Sequence, residues 1–393
     1  MKILCVLGTR PEVIKMAPVV CALERRSEKT SVHVCVTAQH RQMLDQMMEV
    51  FRIRADIDLD LMEPKQTLAG LSARVIERMT SVLQAESPDW VLVQGDTATV
   101  MATALAAFYE RIPVGHVEAG LRTKDPYNPF PEEINRRLTS VLATYHFAPT
   151  YVAEQNLLRE GIRADRIFTT GNTIVDALCS VLELPFSDSA RQVLTECLGE
   201  YKPSGASTRI APNRKLVLVT AHRRESFGRP LEAICHALRS IADEHENAVV
   251  VYPVHMNPKV REPVSRLLSG HQRIRLIEPL AYEPFLRLLD RCDLVLTDSG
   301  GIQEEASVLG KPVLVLRDVT ERTEIIDAGI GKLVGTDARA ISAESKRFLA
   351  QDGGFTAKHS SKLLYGDGRA AERIAGILLD GRYSAMDGVE KQV

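Results

Sequence analysis

Cys292-Asp-Leu-Val-Leu-Thr297 is a strand-like run that ends at Asp298-Ser-Gly-Gly301, and a helix-type sequence, Ile302-Gln-Glu-Glu-Ala306, begins at once. An apolar strand, a glycine turn and a helix make the repeating unit of a doubly wound parallel sheet. Free amides at a helix start carry partial positive charge, and two glycines without Cβ atoms let an anion come within hydrogen-bonding reach of them. Ser299 adds a hydroxyl donor. Glu304 and Glu305 stand one turn in, where a carboxylate could accept both hydroxyls of a ribose whose diphosphate lies on the helix end. The junction therefore points to a nucleotide. It is equally compatible with an ordinary strand-to-helix turn in which Ser299 caps a surface helix.

Outward from this junction the chain alternates short β-rich runs with longer amphipathic segments, the pattern of parallel sheets crossed by helices. Strands are expected at Lys2 to Leu7, Ser31 to Thr37, Trp90 to Gln94 and Val114 to Val117, then at Leu216 to Thr220, Ala248 to Val254, Arg275 to Ile277, Leu294 to Thr297 and Val313 to Leu316. A compositional break separates the two groups, at Leu184-Pro-Phe-Ser-Asp-Ser189 and Lys202-Pro-Ser-Gly-Ala-Ser-Thr208. The expectation is an α/β chain of two doubly wound domains, 1–183 and 203–365, facing each other across a cleft that holds ligands outside the carboxyl ends of both sheets.

Composition narrows the function. With 393 residues, 45% of them hydrophobic, the chain can bury large cores, and a net charge of -2 gives no general attraction to nucleic acid or anionic lipid. The apolar stretch after Met1 is too short for a signal peptide, and no run reaches membrane-spanning length. Seven scattered cysteines with no C-x-x-C pair read as reduced thiols, so a cytoplasmic protein is expected. There is no phosphate loop of the G-x-x-x-x-G-K-[ST] kind, no zinc motif and no nucleophile elbow, and neither metal nor cofactor is expected. Gly329-Ile-Gly-Lys-Leu-Val334 is a near miss to a dinucleotide loop, with no strand expected before it.

The polar residues that matter should lie just past the strand ends. In Gly8-Thr-Arg-Pro-Glu12, Pro11 suits the first helical position, so Arg10 and Lys15 flank a helix start, where two cations suit a diphosphate. Arg10 is expected at the strand end and off any exposed helix face. Asp96 in Gly95-Asp-Thr97 and Glu118 in His116-Val-Glu-Ala-Gly120 follow neighbouring strands, and each could serve in a site or simply as a cap or buried ion pair. Pro131 reads as the first residue of a helix with Glu132 and Glu133 in its first turn, and Glu132 shares a face with Arg136. In the second half, His222 with Arg223 and Arg224 follows a strand, and Glu321-Arg322-Thr-Glu324 forms a charged loop on the same edge.

These motifs, together with Thr37-Ala-Gln-His-Arg41, Pro131-Glu-Glu133, Asp298 to Glu305 and Tyr365-Gly-Asp-Gly368, resemble the non-hydrolysing UDP-N-acetylglucosamine 2-epimerases of bacteria over nearly the whole chain. The resemblance implies two Rossmann-like domains arranged as in GT-B glycosyltransferases, with a C-terminal helix over 366–385 crossing back onto the first domain. It implies a homodimer that interconverts UDP-GlcNAc and UDP-ManNAc for surface polysaccharide synthesis. By motif match Asp96, Glu118 and Glu132 are the acid-base residues, with His222 beside them. Arg10, Lys15, Arg136, Phe285, Ser299, Gly300, Gly301, Glu305 and Arg322 would bind the UDP-sugar. Gln39, Gln42, Lys65, Arg223 and His255 match positions for a second, activating UDP-GlcNAc. The chain departs from the family pattern at Gln94, where many relatives have histidine, at Lys65, where an arginine is usual, and at Thr323, where a proline is usual. A GT-B glycosyltransferase, a UDP-sugar sensor and an epimerase of a UDP-diacetamido uronic acid remain as alternatives.

Overall fold

A computed structural model describes residues 1–37, 41–61, 66–198, 214–350 and 364–380. Two compact units emerge: Met1–Ser180 together with Tyr365–Val393, and Val181–Leu364. Among the described residues, the first holds the parallel strands β1 (Lys2–Leu7), β2 (Ser31–Val36), β3 (Ile57–Asp58), β4 (Trp90–Gln94), β5 (Val114–Val117), β6 (Tyr145–Ala148) and β7 (Ile167–Thr169). Their order is β3-β2-β1-β4-β5-β6-β7. The second holds β8 (Lys215–Thr220), β9 (Ala248–Pro253), β10 (Ile274–Ile277), β11 (Leu294–Thr297), β12 (Val313–Val315) and β13 (Gly331–Leu333), ordered β10-β9-β8-β11-β12-β13.

The β-branched runs are strands because helices cover both faces: Leu216, Val217, Leu218 and Val219 are all fully buried. In each sheet the chain works outward from its first strand, then returns to the other side of it. The reversal falls between β1 and β4 and again between β8 and β11. At such switch points the following helices diverge, leaving strand ends and helix starts open to a ligand.

Four strands were not foreseen. β3 and β7 are short, at the two edges of their sheet. Buried His146 interrupts the apolar signal of β6. Gly329–Val334, set aside as a failed dinucleotide loop, instead supplies edge strand β13, its Lys332 and Leu333 exposed. The break at Leu184–Ser189 is also less of a linker than its composition suggests. Helix Asp188–Leu198 buries Ala190, Leu194 and Cys197 within the second unit, and the Arg287 guanidinium lies 4.1 Å over the Phe186 ring. Residues 202–208 lie outside the described residues.

The C-terminal helix, Ala370–Asp380, belongs to the first unit. It starts four residues later than expected because Gly366 and Gly368 take left-handed φ values of 111° and 78°; 381–385 lie outside the described residues. Arg25 and Arg26 bond Glu372, Lys29 bonds Asp380, and the Asp176 carboxylate caps the helix start by accepting from the amides of Ala370 (3.3 Å) and Ala371 (2.9 Å). Burial pushes the Asp176 carboxyl up to about 6. At pH 8, where it is ionised, Asp176→Ala should cost roughly 0.5–2 kcal/mol in urea unfolding, the scale of a lost cap. An unchanged midpoint would mean that the ion pairs alone dock the helix.

Candidate active site

At the first switch point helix Arg10–Glu24 starts directly after β1, with Thr9 as N-cap and Pro11 as its second residue rather than its first. Glu12 folds back into the turn. Its carboxylate accepts from the amides of Gly8 (2.5 Å) and Thr9 (3.3 Å) and from the Thr97 hydroxyl (2.8 Å). Burial pushes this carboxyl up to about 7, against the pull of those donors. Arg10 is exposed at the first helical position, contrary to expectation, because the helix begins one residue earlier than the proline implied.

Lys15, one turn on, is buried and its ammonium pairs with Glu118. The resemblance implies that this lysine binds the UDP-sugar; the carboxylate it pairs with lies just past the end of β5. Glu118 directly follows β5 with φ 64°, a left-handed conformation that a non-glycine residue adopts at a cost. Asp96 follows Gly95 at the end of β4 and pairs with the buried Arg136 guanidinium. Arg136 also donates to Glu133 at 3.1 Å, and the Asn135 amide holds the Asp96 carbonyl at 3.0 Å. The two carboxylate-bearing turns are stitched together, for the Gly95 amide donates to Val117 O (3.1 Å) and the Gly95 carbonyl meets His116 Nε2 (2.7 Å). A carbonyl only accepts, so Nε2 carries the proton; burial pushes His116 down to about 4 and keeps it neutral.

Glu132, half-buried, is the first residue of helix Glu132–Leu142, with Pro131 at its N-cap rather than inside it. Arg136 on that helix bonds both Asp96 and Glu133. Glu133 is structural, accepting from the amides of Thr123 (3.0 Å) and Lys124 (3.3 Å).

At the second switch point helix Gly300–Val308 starts two residues before the expected Ile302, so both glycines lie in its first turn. Ser299 is the N-cap, yet its hydroxyl does not cap the helix. A Cβ on Gly300 would stand 2.7 Å from the Arg322 guanidinium, while one on Gly301 would meet nothing within 4 Å. Glycine at 300 thus lets Arg322 lie across the helix start, adding a cation to its amides. Arg322 is held by Glu304 (2.8 Å) and by Glu321. It precedes helix Thr323–Asp327, so Thr323 occupies the first position, where a proline would fit equally well. Glu305 accepts from the Tyr282 hydroxyl at 3.0 Å; Phe285, half-buried, lies on the same helix as Tyr282.

Asp298, fully buried, joins the two strand ends. Its Oδ2 accepts from the amides of His222 (2.7 Å) and Arg223 (2.8 Å), which follow β8. The His222 ring lies 3.9 Å from Asp298 and stacks on His255, centroids 5.2 Å apart. Gln39, Lys65 and the side chain of Gln42 lie outside the described residues. Sequence reasoning did not single out Glu12, His116 or Asp298 as functional. Only Glu12 had a readable signal, the T-x-x-E spacing from Thr9.

A protein with two such sheets, a glycine-lined helix start on one and cation-held carboxylates on the other, is of the class that handles nucleotide-bound substrates. A family model described as UDP-N-acetylglucosamine 2-epimerase matches residues 22–379, and the chain belongs to that family. It is 52% identical to the UDP-N-acetylglucosamine 2-epimerase of Escherichia coli K12, covering 98% of this chain and 100% of that protein. Among solved structures, the UDP-GlcNAc 2-epimerase of Neisseria meningitidis bound to UDP-GlcNAc is 44% identical, with a TM-score of 0.87, covering 97% of this chain and 100% of that one. S. aureus MnaA with UDP is 42% identical at the same TM-score, covering 98% of this chain and 100% of that one.

Asp298→Ala would leave two amides without their acceptor. It should lower unfolding free energy by about 1–3 kcal/mol, read by denaturant titration. Wild-type stability would show that the end of β8 is held by other contacts.

Proposed function

We infer that this enzyme, a UDP-N-acetylglucosamine 2-epimerase, inverts C2 of its substrate by removing and re-adding UDP. The observation that carries the reading is the pair of strand-end carboxylates, Asp96 and Glu118, each held by a buried cation at the β4 and β5 ends. The C2 proton of a sugar has no neighbouring carbonyl to acidify it, so its direct removal would be prohibitively slow. Breaking the C1–O bond first changes this. UDP leaves with the bonding electrons, C1 gains oxocarbenium character, and a carboxylate takes the C2 proton to give 2-acetamidoglucal. UDP then adds back to C1 while a proton reaches C2 from the opposite face.

Asp96, Glu118 and Glu132 are assigned the proton transfers. Lys15 pairs with Glu118 and Arg136 with Asp96, so each of these two carboxylates faces a buried cation. Arg10, Arg322, Ser299 and the amides of Gly300 and Gly301 are assigned to the diphosphate, with His222 beside it. Glu305 would take the ribose and Phe285 the uracil. A glycosyltransferase would share the nucleotide cradle, but has less use for the carboxylate pairs of the first unit.

Three further features belong to this reading. Exposed Phe108, Tyr109, Leu138 and Val141 on neighbouring helices Ala98–Tyr109 and Glu132–Leu142 support a homodimer formed through that ridge. The contact of His255 with His222 supports an activating second UDP-GlcNAc, which through Arg223 and His255 would reach a residue assigned to the first. The seven cysteines, all free thiols, support a reducing, cytoplasmic setting.

In D2O, UDP-GlcNAc alone should acquire deuterium at C2 in both epimers. Asp96→Asn, Glu118→Gln and Glu132→Gln should each lose on the order of 100-fold or more in kcat while still binding UDP, the scale of a lost acid-base group. Proton retention at C2 during turnover, or near-normal rates in all three variants, would end the assignment.

A further inference from the structure

β1 and β4 are paired only as far as Cys5 and Leu92, so no ladder bond joins the turns that leave them. Those turns carry Arg10 and Asp96. The link between them is Glu12, 2% exposed. One carboxylate oxygen takes the amides of Gly8 and Thr9 in the first turn; the other takes the hydroxyl of Thr97, the residue after Asp96. A capping box alone needs only the N-cap amide. Here the shorter bond reaches one residue further, to Gly8, and the second oxygen is spent 85 residues away.

With Glu12 ionised, donor count fixes the direction of the chain. Thr97 accepts from the Val100 amide at 3.3 Å and so caps helix Ala98–Tyr109. Its single hydroxyl hydrogen is committed to Glu12. The two helix starts at the switch point thereby share one run of bonds, from the Val100 amide through Thr97 and Glu12 to Gly8 and Thr9. From the other side Asp96 is held by Arg136 and Asn135. It is therefore clamped between its own neighbour and the helix that begins at Glu132.

We propose that Glu12 is a positioning residue of the epimerase, tying the Arg10 turn to the Asp96 turn so that the diphosphate-side cation and the acid-base carboxylate keep one spacing. The inference rests on the assignment of Asp96 made under the proposed function.

Glu12→Gln keeps a carbonyl for the two amides but turns an NH2 group toward Thr97, replacing the charge-assisted bond to a carboxylate with a weaker, reversed one, so it loosens the Asp96 side selectively. It should lower kcat by about 10- to 100-fold, the cost of a misplaced catalytic group, with UDP affinity changed less than about threefold. Thr97→Val should do the same, the double variant should be no slower than either single one, and Thr97→Ser, which restores the hydroxyl, should recover most of the rate. Those variants are compared at matched thermal stability, and the serine-valine pair alone decides the matter if Glu12→Gln does not fold. Wild-type kcat in folded Glu12→Gln, multiplicative losses in the double variant, or no recovery by serine would overturn the proposal. Asp96→Asn separates the two levels. If it retains turnover, the site assignment itself fails; if it is inactive while Glu12→Gln is fully active, only the positioning role fails.

Discussion

A carboxylate inside a protein is stable only when a cation, a set of donors or a proton compensates for lost water. Around the two switch points this chain buries Glu12, Glu118, Asp298 and Glu304, and sets Asp96 against a buried arginine. Each is compensated differently. Glu118 faces the Lys15 ammonium and Asp96 the Arg136 guanidinium, and these are the carboxylates to which the proposed reaction gives proton transfer. Glu12 and Asp298 instead accept from backbone amides, and these are the groups that hold strand-end turns in place. Glu304 holds Arg322 over the helix start at Gly300. The proposed division between reacting and holding carboxylates follows from what sits opposite each one.

Much of the architecture was legible because a parallel strand buried on both faces leaves a plain apolar run. Lys2–Leu7, Trp90–Gln94, Val114–Val117 and Leu294–Thr297 have the boundaries read from sequence. Where that rule weakens, the reading failed. β6 hides a histidine whose ring, pushed down to about 3 by burial, stays neutral in the sheet. β13 is a three-residue edge, with too few buried side chains to announce itself.

The candidate site was readable one motif at a time, since the glycines, Asp96 and Glu118 stand just past strand ends, while Arg10 and Glu132 open helices. What connects the motifs was not. The bonds from Asp298 to His222 and Arg223, and from Glu12 to Thr97, span 76, 75 and 85 residues of chain. Lys15 carries no sign in its local sequence that it would turn to Glu118, because that pairing depends on β1 and β5 flanking β4 in one sheet.

In the proposed reaction Arg10 and the helix start under Arg322 serve one event: departure of UDP with the C1–O electron pair. Positional isotope exchange tests it most directly. UDP-GlcNAc is prepared with 18O in the bridge between C1 and the β-phosphorus, and the label is followed by its 31P shift during turnover. Scrambling into the non-bridging β-phosphate positions, at a rate comparable to inversion at C2, is the predicted result. Inversion at C2 with the label retained in the bridge would contradict it.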